Sequence, residues 1–408
     1  MQRTLHKLGE LALTHVATFA FPLVFAVVCG RTLGVHDYGV ISFYTALAGF
    51  LGSFIEFGFD WYGTREVAQN IDNPARCHHT LWNITATKLA LCCFAMLITW
   101  IGLSQMRTTD ESLLMLGSAA YLIGFAFDAS WYVRAIEKTR MLLAITTGVR
   151  LLGIAILLLV VTRSASMEIA LWTYAVVSLL TSGLTWAGLM RGGLVRRAPI
   201  ELAYMRELMQ RSWAIVLGNL NGSLLTNGGI ALLGLIADPS AVGAASLALR
   251  VRTAGQAVLL PLQQLGFVRI SGLARSAPRA AVSLGRRLLL ATLPTAVAIT
   301  LVTVWLAPDI TLYVFKEDVP LATLMIMLLA MSLPIQAVGS LYGVQSLIAF
   351  GKERMYASIQ VIASVAFGAA LLLVSTESAY GWAVLAAETL VLVMCAVQLS
   401  RVTVGLPR

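Results

Sequence analysis

The chain has 408 residues, of which 58% are hydrophobic and only 12% charged, and its mean hydropathy is +0.82. A soluble domain averages about 25% charged residues, so this composition excludes a soluble globular protein. The net charge of +9 therefore does not indicate nucleic acid as a partner; it fits loops that Lys and Arg hold in the cytoplasm.

Continuous apolar runs predict an all-α polytopic membrane protein with about 12 transmembrane helices. Runs near 20 residues are long enough to cross a bilayer as helices, whereas strands of a membrane barrel would alternate apolar and polar side chains. In chain order we expect spans at roughly 11–30, 40–62, 80–102, 113–133, 141–161, 169–190, 213–236, 242–265, 288–307, 321–344, 357–375 and 381–399.

Lys and Arg indicate the orientation of these spans. Of the 29 basic residues, 21 fall in loops and tails on the N-terminal side of the membrane, 4 on the other side and 4 inside spans. Cytoplasmic loops carry the excess of Lys and Arg. We therefore predict a multi-pass protein with both termini in the cytoplasm.

An internal repeat indicates two halves. Glu137–Met141 and Gly351–Met355 are basic turns that lie 214 residues apart, and each precedes a long apolar run. Lys or Arg before a Leu-rich segment is common in membrane proteins, so chance similarity is the alternative. Transporters are often built from repeats.

The longest internal polar segment lies between the sixth and seventh predicted spans. It predicts an N-terminal lobe of six helices at 1–190, a cytoplasmic linker at 191–212 and a C-terminal lobe of six helices at 213–408. We expect the linker to lie on anionic lipid as an interfacial stretch.

Four cations fall nearer the middle of predicted spans than their ends, and they are the predicted substrate-binding residues: Arg250, Arg252, Arg150 and Lys88. A charge at a helix centre costs roughly 2.5–3.5 kcal/mol, so these side chains should face a watery cavity or a partner. Arg suits phosphate through its planar fork, so such a cavity would suit an anionic substrate. Pairing of each cation with an acid or a carbonyl is the alternative. Arg250 and Arg252 are about 200° apart around a helix, so we expect one to face the cavity and the other a neighbouring helix of its own half; the sequence does not show which is which.

Glu56 and Asp60 lie four residues apart and share one helix face. Two such carboxylates could bind a proton or a cation, and coupling to a proton or Na⁺ gradient would follow. The alternatives are structural: the two acids neutralise Lys88, or Asp60 and Asp128 pair with Arg65 or Arg134. No P-loop, nucleophile elbow, H-E-x-x-H or CxxC pair is present, so we expect no enzyme, no metal and no cofactor.

Short motifs at the ends of the predicted spans carry a family resemblance. The segments are Arg31–Gly39 (RTLGVHDYG), Phe57–Phe59 with Thr64–Ala68, Trp131–Lys138 (WYVRAIEK) and Gln345–Lys352. Together they resemble the Wzx-like polysaccharide flippases of the multidrug/oligosaccharidyl-lipid/polysaccharide exporter superfamily. Arg134 and Ala135 stand where that family usually has Gln and Gly.

The resemblance implies two six-helix lobes around a central cavity. It implies flipping of undecaprenyl-pyrophosphate-linked oligosaccharide from the cytoplasmic to the periplasmic leaflet of the bacterial inner membrane, for O-antigen, lipopolysaccharide or exopolysaccharide synthesis. The implied partners are an anionic lipid-linked oligosaccharide, membrane lipid, and a polysaccharide polymerase with its chain-length regulator. The alternative is a MATE-like cation-coupled exporter of small molecules. A membrane glycosyltransferase is disfavoured because the predicted outer loops are short.

Overall fold

The computed structural model describes residues 2–106, 112–274, 277–373 and 376–404; for 2–19, 103–106, 214–215, 217–219, 221, 265, 268 and 402–404 it describes the backbone only. Every regular element in these ranges is helical, which confirms the predicted all-helical fold. Within these ranges, ten helical stretches are long and apolar enough to cross a membrane. One of them, Ala20–Gln69, is 50 residues long, or about 75 Å, so it holds two spans. The shorter apolar helix Leu224–Ile236 falls in the seventh predicted span, so the described residues agree with about 10 to 12 spans.

The chain divides into two compact units. Unit 1 comprises Met1–Leu33 and Ile41–Ser223, and unit 2 comprises Gly34–Val40 and Leu224–Arg408. Unit 1 thus includes the predicted linker at 191–212 and also residues 213–223.

The helices of the first part of the chain are α1 Gln2–Glu56, α2 Phe59–Gln69, α3 Pro74–Met106, α4 Ser112–Ala126, α5 Ser130–Ala135, α6 Thr139–Ile156, α7 Thr162–Ser164, α8 Met167–Arg191 and α9 Leu202–Ser223. Those of the second part are α10 Gly229–Ile236, α11 Pro239–Ala274, α12 Pro278–Phe315, α13 Pro320–Tyr342, α14 Glu353–Leu373 and α15 Ala379–Val404. Three π-helical turns continue α6, α9 and α13, at Leu157–Val161, Leu224–Gly228 and Gly343–Ile348.

Breaks interrupt the helices at places that the apolar pattern does not show. Residues 31–39 connect the first two predicted spans, and the structure has a single break there, inside α1 at Gly34. Only glycine readily adopts the φ of 83° and ψ of 178° at this position. The predicted span 40–62 is broken at Phe57 and Gly58, which both have positive φ. The predicted span 113–133 is broken at residues 127–129.

The segment Gly34–Val40 packs within unit 2 through close backbone contacts. A Cβ on Gly39 would lie 1.7 Å from the carbonyl oxygen of Pro239, and one on Gly243 would lie 2.3 Å from that of Val35. The Tyr38 hydroxyl lies 3.2 Å from the Ser246 hydroxyl. These approaches explain why glycine stands at two positions of this contact.

The start of α11 has an N-cap of its own. Asp238 Oδ1 accepts a 2.8 Å hydrogen bond from the backbone N–H of Ser240, as an N-cap side chain does. This hydrogen bond holds the pKa of Asp238 below its usual range.

The two basic turns share one backbone structure, as the predicted repeat requires. The N–H of Lys138 donates to the Val133 carbonyl at 3.1 Å, and that of Lys352 donates to Leu347 at 2.9 Å. Each turn places a residue of positive φ just before its lysine, Glu137 in the first turn and Gly351 in the second. Both are Schellman turns, and their equivalent residues lie 214 positions apart.

The connection from α8 to α9 is fixed along α3. Residues 192–201 are non-helical. Trp82 donates to the Arg196 carbonyl at 2.9 Å, and Asn83 bonds both the Pro199 carbonyl (3.0 Å) and the Glu201 N–H (2.8 Å). We expected the linker at 191–212 to lie on lipid. Its first half is instead held against α3 by hydrogen bonds within the protein.

Candidate functional site

Five charged side chains meet in unit 1 where two helices are broken. Glu56 ends α1 and Asp60 lies in the first turn of α2. Asp128 lies between α4 and α5, and Arg134 is in the last turn of α5. Lys88 comes from α3. Helices broken within the membrane are a recurring way for transporters to build ion and substrate sites.

Hydrogen bonds join four of these residues. Arg134 pairs with Asp60 at 2.8 Å and also donates to the Ser130 hydroxyl at 3.1 Å. Ser130 in turn donates to an Asp128 carboxylate oxygen at 2.7 Å. The Lys88 side chain is only 1% exposed, and its Nζ donates to the Asp128 backbone carbonyl at 3.1 Å. Lys88 thus satisfies a backbone acceptor at a helix break, which a membrane interior demands.

The cluster holds one more carboxylate than cations. Glu56 interacts electrostatically with all four of the other charged residues. Asp60 Oδ1 is buried and has no hydrogen bond in the described part of the chain. A site with three carboxylates and two cations can take up one proton or one monovalent cation to become neutral.

The structure shows which of the ion pairs expected from the sequence are formed by Glu56 and Asp60. Asp60 pairs with Arg134, which confirms one of them. Arg65 instead lies over the Tyr62 ring, 5.7 Å from its centroid. The acids Glu56 and Asp60 do lie with Lys88, as the neutralising alternative expected.

Arg252 and Glu388 form a buried ion pair in unit 2. The Arg252 side chain is 5% exposed and that of Glu388 is 14% exposed. Arg252 Nη2 donates to Glu388 Oε1, which joins α11 to α15. This confirms that one arginine of the predicted pair faces a neighbouring helix of its own half. Arg250 is half-buried, and both arginines lie within electrostatic reach of Tyr380.

Arg150 lies beside an aromatic cluster in unit 1. Its side chain is half-buried on α6 and interacts electrostatically with Tyr121 and Tyr174. The Tyr174 ring stacks edge-on against Phe25 with centroids 4.5 Å apart, and Tyr121 lies 5.5 Å away.

The structure therefore brings together only some of the predicted site residues. Lys88 joins Glu56 and Asp60, whereas Arg150 lies elsewhere in unit 1, and Arg250 and Arg252 belong to unit 2. The substrate-binding role of the four cations stays a prediction. Sequence reasoning missed the central place of Asp128 and Ser130, although a polar pair inside an apolar run signals a helix break.

Comparison with known proteins identifies the family. Residues 5–266 match the model of the polysaccharide biosynthesis protein family. A protein named "Putative O-antigen transporter" from Escherichia coli (strain K12) is 23% identical over 266 residues, which cover 64% of this chain and 63% of that protein. One of the same name from Shigella dysenteriae is 23% identical over 269 residues, which cover 64% of this chain and 66% of that protein. The chain thus matches just under two thirds of the length of these relatives.

Solved structures share the fold. An inward-facing multidrug resistance MATE family transporter of the MOP superfamily has a TM-score of 0.71 at 12% identity, covering 98% of this chain and 99% of that one. The lipid II flippase MurJ, in an inward closed conformation, has a TM-score of 0.73 at 10% identity, covering 95% and 87%. At these identities the likeness shows the fold alone. The family match extends over more than half of the chain, and the chain belongs to the polysaccharide biosynthesis protein family.

Proposed function

We propose that this protein flips undecaprenyl-pyrophosphate-linked oligosaccharide repeat units from the cytoplasmic to the periplasmic leaflet of the bacterial inner membrane. The family match over residues 5–266 carries this proposal, and the names of the two O-antigen transporters support it. Transport proceeds by alternating access and supplies a polysaccharide polymerase and its chain-length regulator. The protein acts as a transporter and not as an enzyme.

Arg150 and Arg250 are the leading candidates for contact with the pyrophosphate. Both side chains are half-buried, whereas Lys88 and Arg252 are buried against a carbonyl and a carboxylate of their own units. A ligand in a cavity reaches a half-buried side chain more readily than a side chain that its own unit encloses. Lys88 and Arg252 therefore serve mainly to hold helices together.

Glu56 and Asp60, with Asp128, form the coupling site in this proposal. The excess carboxylate and the buried Asp60 oxygen without a hydrogen bond support uptake of a proton or Na⁺ there. Binding of a proton or Na⁺ would neutralise the excess carboxylate charge and lower the free-energy cost of burying the cluster. It would therefore shift the equilibrium between the inward-facing and outward-facing conformations of the transport cycle.

Deletion of the gene tests the substrate. We expect loss of surface polymer and accumulation of lipid-linked repeat units on the cytoplasmic leaflet, measured by their accessibility to a membrane-impermeant sugar oxidant. The intact gene should restore polymer. Arg150→Glu and Arg250→Glu should not, at equal protein levels, while Arg279→Glu, at an exposed cation, should restore it. Normal polymer and normal sidedness in the deletion strain would refute the proposal.

A cation-coupled exporter of small molecules is the second candidate. Its support is the fold likeness to a MATE transporter over 98% of the chain and the carboxylate-rich cluster in unit 1. The same deletion strain separates the two functions. Intact polymer together with new sensitivity to cationic drugs would establish the exporter and overturn the flippase.

A further inference from the structure

A cavity of about 550 Å³ lies at one end of unit 1. The connection between α2 and α3, the turn between α5 and α6, and the extended segment 192–201 meet there. The charge distribution predicts that this end faces the cytoplasm. The cavity lies apart from the charged cluster at the helix breaks, since none of the cluster's five residues lines it.

The polar part of the wall includes two cations, Lys138 and Arg196. Lys138, Arg196 and His78 line the cavity, and no acidic residue does so among the described residues. Two helices also begin at the wall: α3 starts with Pro74, and Lys138 is the N-cap residue of α6. Helix N-termini carry partial positive charge, so the cavity favours an anion.

Protein hydrogen bonds hold the wall in place. The Leu194 carbonyl oxygen lies 3.2 Å from His78 Nε2 and accepts a 3.3 Å hydrogen bond from the Tyr132 hydroxyl. The Tyr132 side chain is only 2% exposed. The segment that carries Arg196 is thus fixed across the cavity, and a ligand would find a preformed site.

Exposed apolar side chains lie on the cavity wall and just beyond Arg196 in the chain. Ile71 lines the cavity and is 48% exposed, and Ile200 and Leu202, a few residues beyond Arg196, are 58% and 80% exposed. Trp82, which holds the Arg196 carbonyl, is a residue typical of the membrane–water interface. A soluble anion would leave these apolar groups in water, whereas an amphiphile with an anionic headgroup would cover them.

We propose that this cavity binds the phosphate headgroup of an anionic phospholipid, with the acyl chains over the exposed apolar side chains. Lys138 and Arg196 contact the phosphate, and His78 lies at its side. None of the four candidate substrate-binding cations lines this cavity, and the proposal does not depend on the flippase function.

Native mass spectrometry of the full-length protein in detergent, titrated with phosphatidylglycerol, tests the site. Each basic side chain near a lipid phosphate contributes about fivefold in affinity, so Lys138→Gln with Arg196→Gln should weaken the tightest binding event about 30-fold. Two matched controls should bind as the unaltered protein does. Lys352→Gln changes the equivalent lysine of the repeat, and Arg197→Gln changes the exposed neighbour of Arg196. Phosphatidylcholine should bind no more tightly to the unaltered protein than to the double variant.

A cavity-filling variant separates a built site from general attraction to a basic surface. Ala75 lines the cavity and is exposed, so Ala75→Trp should fold, leave every charge in place and still lose the tight event. The thermal midpoint in detergent checks that each variant is folded. Equal binding to all variants, or a loss in the double variant without a loss in Ala75→Trp, would overturn the proposal. Full competition by millimolar inorganic phosphate would overturn the lipid as the ligand and assign the site to a free anion.

Discussion

Removing Arg252 should destabilise the protein far more than removing an exposed arginine such as Arg279. The Arg252→Gln variant leaves Glu388 as an unpaired carboxylate that is 14% exposed within unit 2. Breaking a buried ion pair by removing one partner costs about 3–5 kcal/mol. For a unit of this size, that loss lowers the thermal midpoint on the order of 10 °C.

The double variant Arg252→Gln with Glu388→Gln should recover most of this loss. Neutral amides of similar length leave no unpaired charge, and replacing both partners of a buried pair is often close to neutral. The assay is the thermal midpoint of the four proteins of this double-mutant cycle in one detergent, with Arg279→Gln, at an exposed arginine, as the control. A single variant as stable as the unaltered protein, or a double variant that loses the sum of both single losses, would refute the structural role of the pair.

Three further predictions concern glycine contacts, a turn and the charged cluster. Gly39→Ala places a Cβ 1.7 Å from a backbone oxygen and should lower the free energy of unfolding by about 1–3 kcal/mol. Gly148→Ala has open space inside α6 and should raise the free energy of unfolding by about 0.5–1 kcal/mol. Equal thermal midpoints for the two variants would contradict the close contact at Gly39. Glu137→Gly should increase the free energy of unfolding by about 1 kcal/mol and so raise the thermal midpoint, because Glu137 has a φ of 58° where the equivalent residue of the repeat is glycine. An unchanged midpoint would count against this strain. Glu56→Gln should abolish the dependence of transport on an imposed proton or Na⁺ gradient, while Glu168→Gln should keep it; ion-driven uptake in the Glu56 variant would remove that residue from coupling.

The general architecture could be predicted because it depends on composition over long windows. Apolar runs set the number of spans, so an error of several residues at each end does little harm. The orientation that the Lys and Arg count indicates stays a prediction. The repeat was also visible, since Lys138 and Lys352 occupy the same turn. The close match of the two Schellman turns shows that the similarity extends to the backbone.

The site was harder to predict because it depends on local breaks and long-range pairs. Hydropathy treats 40–62 as one span, but Phe57 and Gly58 turn the chain and place Glu56 and Asp60 on separate helices. Likewise, nothing near Arg252 in the sequence identifies Glu388, which lies 136 residues away. Depth in the membrane could be estimated, whereas the partner could not.

The membership of Gly34–Val40 in unit 2 decides how the chain can be divided into fragments. A cut within 192–201, where the polar loop suggests one, would separate unit 1 from its own α9. A cut after Ser223 keeps each long stretch whole, but the first fragment then carries a seven-residue segment that belongs to the second. The second fragment alone would lack this segment, and its Gly243 and Ser246 would lose the contacts with Val35 and Tyr38.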